Sequence, residues 1–170
     1  NLTSRISGHR SEIPTMKWLP VIPMMVGLVV VTVGYAQDLE IVKEIRPHSG
    51  DLTAEYEAYR DRETGGLVKH GYYRSYYEDG TYKVVGQYRD GRMVGEWRSM
   101  YENGRMRKVG VFRDGQEEGK WVAYRKNGEM RWERTYEDGN KEGRWVYYFD
   151  SGRIRREENY RSERMNGRFI

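Results

Sequence analysis

The stretch "GEWRSMYENG" at residues 95–104 opens on Gly-Glu-Trp and closes on Asn-Gly, and its relation to the rest of the chain decides the fold. The same pattern returns 24 residues later as "GKWVAYRKNG" (119–128), a further 24 later as "GRWVYYFDSG" (143–152), and stands 24 earlier as "GYYRSYYEDG" (71–80). Gly71, Gly95, Gly119, Gly143 and Gly167 form one column, and Tyr73, Trp97, Trp121, Trp145 and Phe169 form an aromatic column two residues on. A second turn column reads Gly80, Gly104, Gly128, Gly152; a third reads Gly91, Gly115, Gly139, with Glu163 in the fourth copy. Tyr88, Phe112, Tyr136 and Tyr160 precede that third turn. Four full units and the start of a fifth at Gly167 establish a repeat architecture.

Turn signals fall about every 12 residues, from Asp79-Gly80 and Asp90-Gly91 through Asn103-Gly104 and Asn127-Gly128 to Ser151-Gly152. Asn-Gly and Asp-Gly tolerate the positive φ that tight hairpins require, so each unit is two strands and two turns. The segments between are rich in Tyr, Trp, Val and Thr and alternate with period two: Trp145, Tyr147 and Phe149 share one face, Val146 and Tyr148 the other. Upstream, "LTAEYEAYRD" (52–61) resembles the returning strand of a unit, with an enlarged "RETGGLVKH" loop after it. The expectation is an all-β chain: an elongated antiparallel β-meander, one twisted sheet of about ten strands over 52–170, roughly 48 Å wide. A mean hydropathy of −0.96 excludes a thick two-sheet core, so cross-strand aromatic pairs hold neighbouring repeats together. The free edges are expected near Leu52 and at Gly167–Ile170, the latter a docking point for homo-association or strand addition.

The N-terminal end differs in composition. From Met16, "MKWLPVIPMMVGLVVVTVGYAQ" presents one lysine, an apolar run, then Gly34 and Ala36, the pattern of a secretory signal peptide over 16–36 cleaved between Ala36 and Gln37. Residues 1–15 are read as leader upstream of that start, and 37–51 as a cap strand or linker before the repeat domain at 52–170. No cysteine follows the apolar run, which excludes a lipoprotein signal, a disulfide framework and thiol chemistry. From Gln37 on, the 30 Lys and Arg less Arg5, Arg10 and Lys17, against the 26 Asp and Glu less Glu12, leave a surplus of only two positive charges. Both signs alternate along every unit, and nucleic-acid binding, which needs clustered positive charge, is not expected.

"GxWxxYxxNG" followed by "YxDGxxxG" resembles the bacterial variant of the MORN repeat, found in proteins commonly labelled YwqK-like antitoxins. The resemblance covers 71–169 closely and 52–70 loosely. It implies an elongated sheet of hairpins, no cofactor, and the binding and neutralising of a protein partner.

Candidate partner-binding residues are of two kinds. Trp97, Trp121 and Trp145 repeat in every copy and could form a ligand platform, although such repetition favours a structural role. Trp132, Tyr72 and Tyr82 leave the common pattern; an unpatterned aromatic on a polar sheet is the better contact for a partner. His48 and His70 lack the clustered carboxylates or cysteines of a metal site, no triad surrounds them, and no paired acids stand out, so neither metal nor catalysis is expected. The expectation is an exported, non-enzymatic binding or scaffolding protein of the periplasm or medium, with a protein partner foremost. An envelope polysaccharide or an antitoxin role are the alternatives.

Overall fold

The computed structural model describes residues 27–32, through their backbone, and residues 39–166. The strands are β1 (Gly27–Thr32), β2 (Leu39–Ile45), β3 (Leu52–Arg60), β4 (Leu67–Tyr76), β5 (Tyr82–Arg89) and β6 (Arg92–Met100). They continue as β7 (Met106–Arg113), β8 (Gln116–Tyr124), β9 (Met130–Glu137), β10 (Asn140–Tyr148), β11 (Ile154–Arg161) and β12 (Arg164–Met165). All twelve lie in one sheet in chain order, each antiparallel to the next, as the repeat of two strands and two turns dictates. Ten of them, β3 to β12, fall within the repeat region.

The edge expected near Leu52 is a different one. β3 is an interior strand: Leu39–Ile45 pairs with it from Leu39↔Tyr59 to Ile45↔Leu52, and β1 pairs with β2 in turn. Of the two alternatives for 37–51, a cap strand or a linker, the cap strand is the one formed: "LEIVKEI" lacks the turn glycines and aromatics of a unit, yet its alternation suffices for a strand that takes the edge from Leu52. At the other end β12 pairs with β11 through two residues, and Gly167–Ile170 lies outside the described residues.

Each unit carries two irregularities that the glycine columns make possible. Between β5 and β6, Val85 faces Arg98 and Gln87 faces Val94, so Gly86 alone spans Gly95, Glu96 and Trp97. The same offset recurs between β3 and β4, β7 and β8, and β9 and β10. Gly71, Gly95, Gly119 and Gly143 enter these bulges at φ of 97°, 66°, 65° and 60°, a region costly for any side chain. The bulge swings the following aromatic over the strand behind it. Trp97 thus donates from Nε1 to the Gln87 carbonyl at 3.2 Å, and Trp145 to that of Thr135 at 2.9 Å. The second irregularity is a one-residue bulge at the start of β5, β7, β9 and β11, whose extra residues are Lys83, Arg107, Arg131 and Arg155.

The turns tie neighbouring units together. Asp90-Gly91, Asp114-Gly115 and Asp138-Gly139 are two-residue loops with both φ positive, as the hairpin signal predicts. The glycine N–H in each donates backwards, to the carbonyls of Lys69, Met93 and Glu117, and Glu163 does the same to Lys141. At the opposite end of the strands, the Tyr77 hydroxyl donates to the Met100 carbonyl at 2.8 Å, Tyr101 to Tyr124 at 2.9 Å, and Arg125 Nη2 to Tyr148 at 2.6 Å.

With no second layer, the interior is a row rather than a centre. Trp97, Trp121, Trp145, Tyr56, Ala58 and Ala123 are buried on one face, and Tyr88 and Phe112 meet Trp97 and Trp121 edge to face at 5.1 and 5.0 Å. Near the N-terminal end Tyr56 packs with Val42, Ala58, Leu67 and Tyr73. Burial, and after it the charge of Glu44, pushes its hydroxyl up to about 12 from 10.0. A neutral phenol is thus favoured by the fold, so this contribution to stability is intact below pH 10 and is lost as pH rises towards 12. The variant Tyr56→Phe is therefore expected to lose less stability than the wild type between pH 10 and 12, read as the difference between their denaturation midpoints. Parallel losses would show that Tyr56 is not the responsible group.

Candidate functional site

The repeat is nearly symmetric, so a specific site must lie where a column changes character. The position that Trp97 and Trp121 cover is Gly86 and Gly110, and a Cβ at either glycine would overlap the indole ring. One and two repeats on, the same column holds Arg134 and Glu158. The adjacent small column, Ser75, Ser99 and Ala123, becomes Tyr147, and the column of Val84 and Lys108 becomes Trp132 and then Arg156.

Register brings these substitutions together on one face. Ala123 faces Trp132, Trp132 faces Tyr147, and Tyr147 faces Arg156, while Trp121 faces Arg134 and Trp145 faces Glu158. The Arg134 guanidinium lies 4.2 Å from the Trp132 ring centre, 4.8 Å from Trp145 and 5.4 Å from Tyr147. Arg156 lies 4.3 Å over Tyr147, and Lys108 is 4.1 Å over Trp121 and 5.9 Å from Trp132. Cations and rings alternate along the row, an arrangement attractive through the ring quadrupole and stiff because each member has neighbours on both sides.

Glu117 pairs with Lys108 Nζ at 3.1 Å, and Glu158, 5 % exposed, accepts from the hydroxyls of Tyr160 at 3.1 Å and Tyr147 at 3.4 Å while pairing with Arg156 Nε at 3.1 Å. The hydrogen bond to Tyr147, and after it the charge of Glu158, raises the Arg156 guanidinium above its ordinary value. Arg134 Nε, by contrast, is buried without a hydrogen-bond partner. The indole of Trp145 also leans: it meets Tyr136 at 57° and Tyr160 at 53°, where Trp97 and Trp121 stand at 86° and 78° to Tyr88 and Phe112. A side chain at 134 occupies the space a glycine leaves open, so the ring cannot lie as it does in the other units.

The six candidates divide. Trp97, Trp121 and Trp145 are 6 %, 2 % and 4 % exposed; the repeats themselves occupy their rings, leaving little surface for a ligand. Trp132 is half-buried and belongs to the cation–ring row. Tyr72 and Tyr82 lie on the opposite face: Tyr72 donates to Glu55 at 3.3 Å beneath the Arg74 guanidinium, and Tyr82, 48 % exposed, packs against Tyr76 at 5.4 Å. Arg134, Tyr147, Arg156 and Glu158 were overlooked in the sequence, although the signal was present: aligning the units shows glycine giving way to arginine and glutamate in a single column. His70 joins Asp90 at 3.1 Å and Tyr59 ring to ring at 5.8 Å, an exposed turn support; among the described residues no group of His, Cys, Asp or Glu could hold a metal ion.

Two stretches of the chain, 69–90 and 141–162, match the model of the MORN repeat variant. They stand three repeat lengths apart, in register with the two intervening units. No curated protein matches the chain. Among solved structures, one chain described as "Crystal structure of GtfA/B complex bound to UDP and GlcNAc" is similar at 14 % identity and a TM-score of 0.26, covering 81 % of this chain and 24 % of its own. This chain thus spans about a quarter of that one, and a likeness so low says nothing about ligands. The chain thus carries two stretches similar to the MORN repeat variant, set in a single open antiparallel meander.

Proposed function

We propose that the chain is an exported, non-enzymatic β-repeat protein that binds or scaffolds a protein partner in the cell envelope, with its contact surface at the C-terminal part of the aromatic face. The observation that carries this reading is the change of adjoining columns, from glycine to Arg134, from serine and alanine to Tyr147, and from Val84 and Lys108 to Trp132 and Arg156. Tryptophan, tyrosine and arginine are the side chains that dominate binding energy at protein interfaces. Here they are held in place by one another, so little ordering entropy is lost on contact. The export part of the reading rests on the sequence pattern of 16–36. Cleavage after Ala36 would remove β1 and leave β2 as the edge.

The test is photo-crosslinking in cells from position 132, compared with position 82 on the opposite face, followed by identification of the adduct and N-terminal sequencing of the recovered chain. A discrete protein adduct from position 132, none from 82, and at least a tenfold loss of co-purification in Trp132→Ala with the fold retained are the expected results. Equal adducts from both faces would remove the case for this surface. A chain that keeps Met16 in the cytosol would remove the case for export and direct attention to an intracellular partner.

A further inference from the structure

Charge alternates along the chain but aligns across it. The extra residue of each one-residue bulge is basic in all four units: Lys83, Arg107, Arg131 and Arg155. All four are exposed, and among the described residues none pairs with a carboxylate. Three rest near the ring of their own hairpin, Lys83 at 5.6 Å from Tyr77, Arg107 at 6.0 Å from Tyr101 and Arg155 at 5.9 Å from Phe149. The Tyr77 and Tyr101 rings are fixed by their hydroxyl bonds to the next unit.

The surroundings share this sign. Over the four hairpin tips 77–83, 101–107, 125–131 and 149–155, eight cations stand against five carboxylates; Glu78 and Asp79 make the first tip acidic, while the other three hold seven cations against Glu102, Glu129 and Asp150, of which Asp150 is already held by Arg125 at 3.0 Å. At the opposite end of the strands, the turns at 89–92, 113–116, 137–140 and 161–164 hold five cations and five carboxylates. The excess of positive charge therefore belongs to one edge of the sheet.

We propose that this edge binds a linear anionic glycan carrying one carboxylate per disaccharide. Equivalent residues of successive units are two strands apart, roughly 9.6 Å, and four units span roughly 29 Å. In a duplex the phosphates of each strand recur about every 3.4 Å of helix axis, so most would find no cation here. In an extended β-linked glycan of alternating neutral and acidic sugars, successive carboxylates are two sugar rings apart, a length comparable to two strands. Each carboxylate would meet one bulge cation, and the neutral sugar between would lie beside the tip aromatic, of which Phe149 is 49 % exposed. This edge is distinct from the Trp132 face, so the two surfaces stand or fall separately.

The test is calorimetric titration of the full chain at low salt with hyaluronan oligosaccharides, which carry one carboxylate per disaccharide. An octasaccharide, long enough for four cations, is expected to bind at least tenfold more tightly than a tetrasaccharide, which reaches two. The exposed pair Arg107→Gln with Arg131→Gln is expected to weaken octasaccharide binding roughly tenfold, as two surface ion pairs would. Arg107→Lys with Arg131→Lys is expected to keep most of it, and Trp132→Ala all of it. Circular dichroism establishes that the variants are folded. No binding, binding independent of length, an unaffected glutamine variant, or equal affinity for polyphosphate, single-stranded DNA or neutral dextran would each overturn the proposal.

Discussion

Truncating Trp121 to alanine is expected to lower the stability of the chain by about 4 kcal/mol, the scale for removing a buried tryptophan. The ring is 2 % exposed and lies over Gly110, against the edge of Phe112 at 5.0 Å and beneath the Lys108 ammonium at 4.1 Å. A single-layer sheet has no opposing layer that could collapse into the vacated space, so relaxation recovers little. Tryptophan to phenylalanine separates packing from hydrogen bonding. Trp97 donates to the Gln87 carbonyl, whereas Trp121 Nε1 is buried without a partner. Trp97→Phe should therefore cost about 1 kcal/mol more than Trp121→Phe, the usual worth of one such bond. Urea denaturation of the full chain reads all three variants. A loss below about 1 kcal/mol for Trp121→Ala would mean that the aromatic column is not what joins the units.

Much of this fold is legible in the sequence because its rules are local. Asp-Gly at a fixed interval dictates two-residue turns, and Asp90, Asp114 and Asp138 adopt the positive φ that such turns require. Alternation on either side then leaves only a meander. What was not legible is what depends on register. The large bulge at Gly95 shifts Trp97 over Gly86, so the tryptophans that look like a platform in a flat strand are covered by their own neighbours. Likewise, Lys83, Arg107, Arg131 and Arg155 stand 24 residues apart in the linear chain and become a row only once the strands are paired. The strand at Leu39–Ile45 was ambiguous for another reason: it lacks the turn chemistry that marked the others, and only pairing with β3 reveals it.

Adding one methyl group at Gly110 is expected to cost about 3 kcal/mol, although in an ordinary strand interior alanine is the more stable residue by about 0.5–1 kcal/mol. The sign reverses because the Cβ would overlap three atoms of the Trp121 ring, a rigid buried group rather than the end of a flexible chain. The backbone contributes nothing, since Gly110 is not among the glycines at positive φ. Gly104 provides the opposite control: its φ is 75° with nothing within 4 Å of an added Cβ, so Gly104→Ala measures the backbone term alone, about 1 kcal/mol. The overlap is not absolute, because the chain itself carries Arg134 in the same column and answers it by leaning Trp145 to 57° from Tyr136. At Gly110 the same lean would cost Trp121 its edge-to-face contact with Phe112, at 78°. In a Trp121→Leu background, with the ring gone, Gly110→Ala should become neutral or mildly stabilising. A double-mutant cycle then returns a coupling of about 3 kcal/mol, at the upper end for residues in contact. Additive losses would show that Gly110 is required for some reason other than the ring above it.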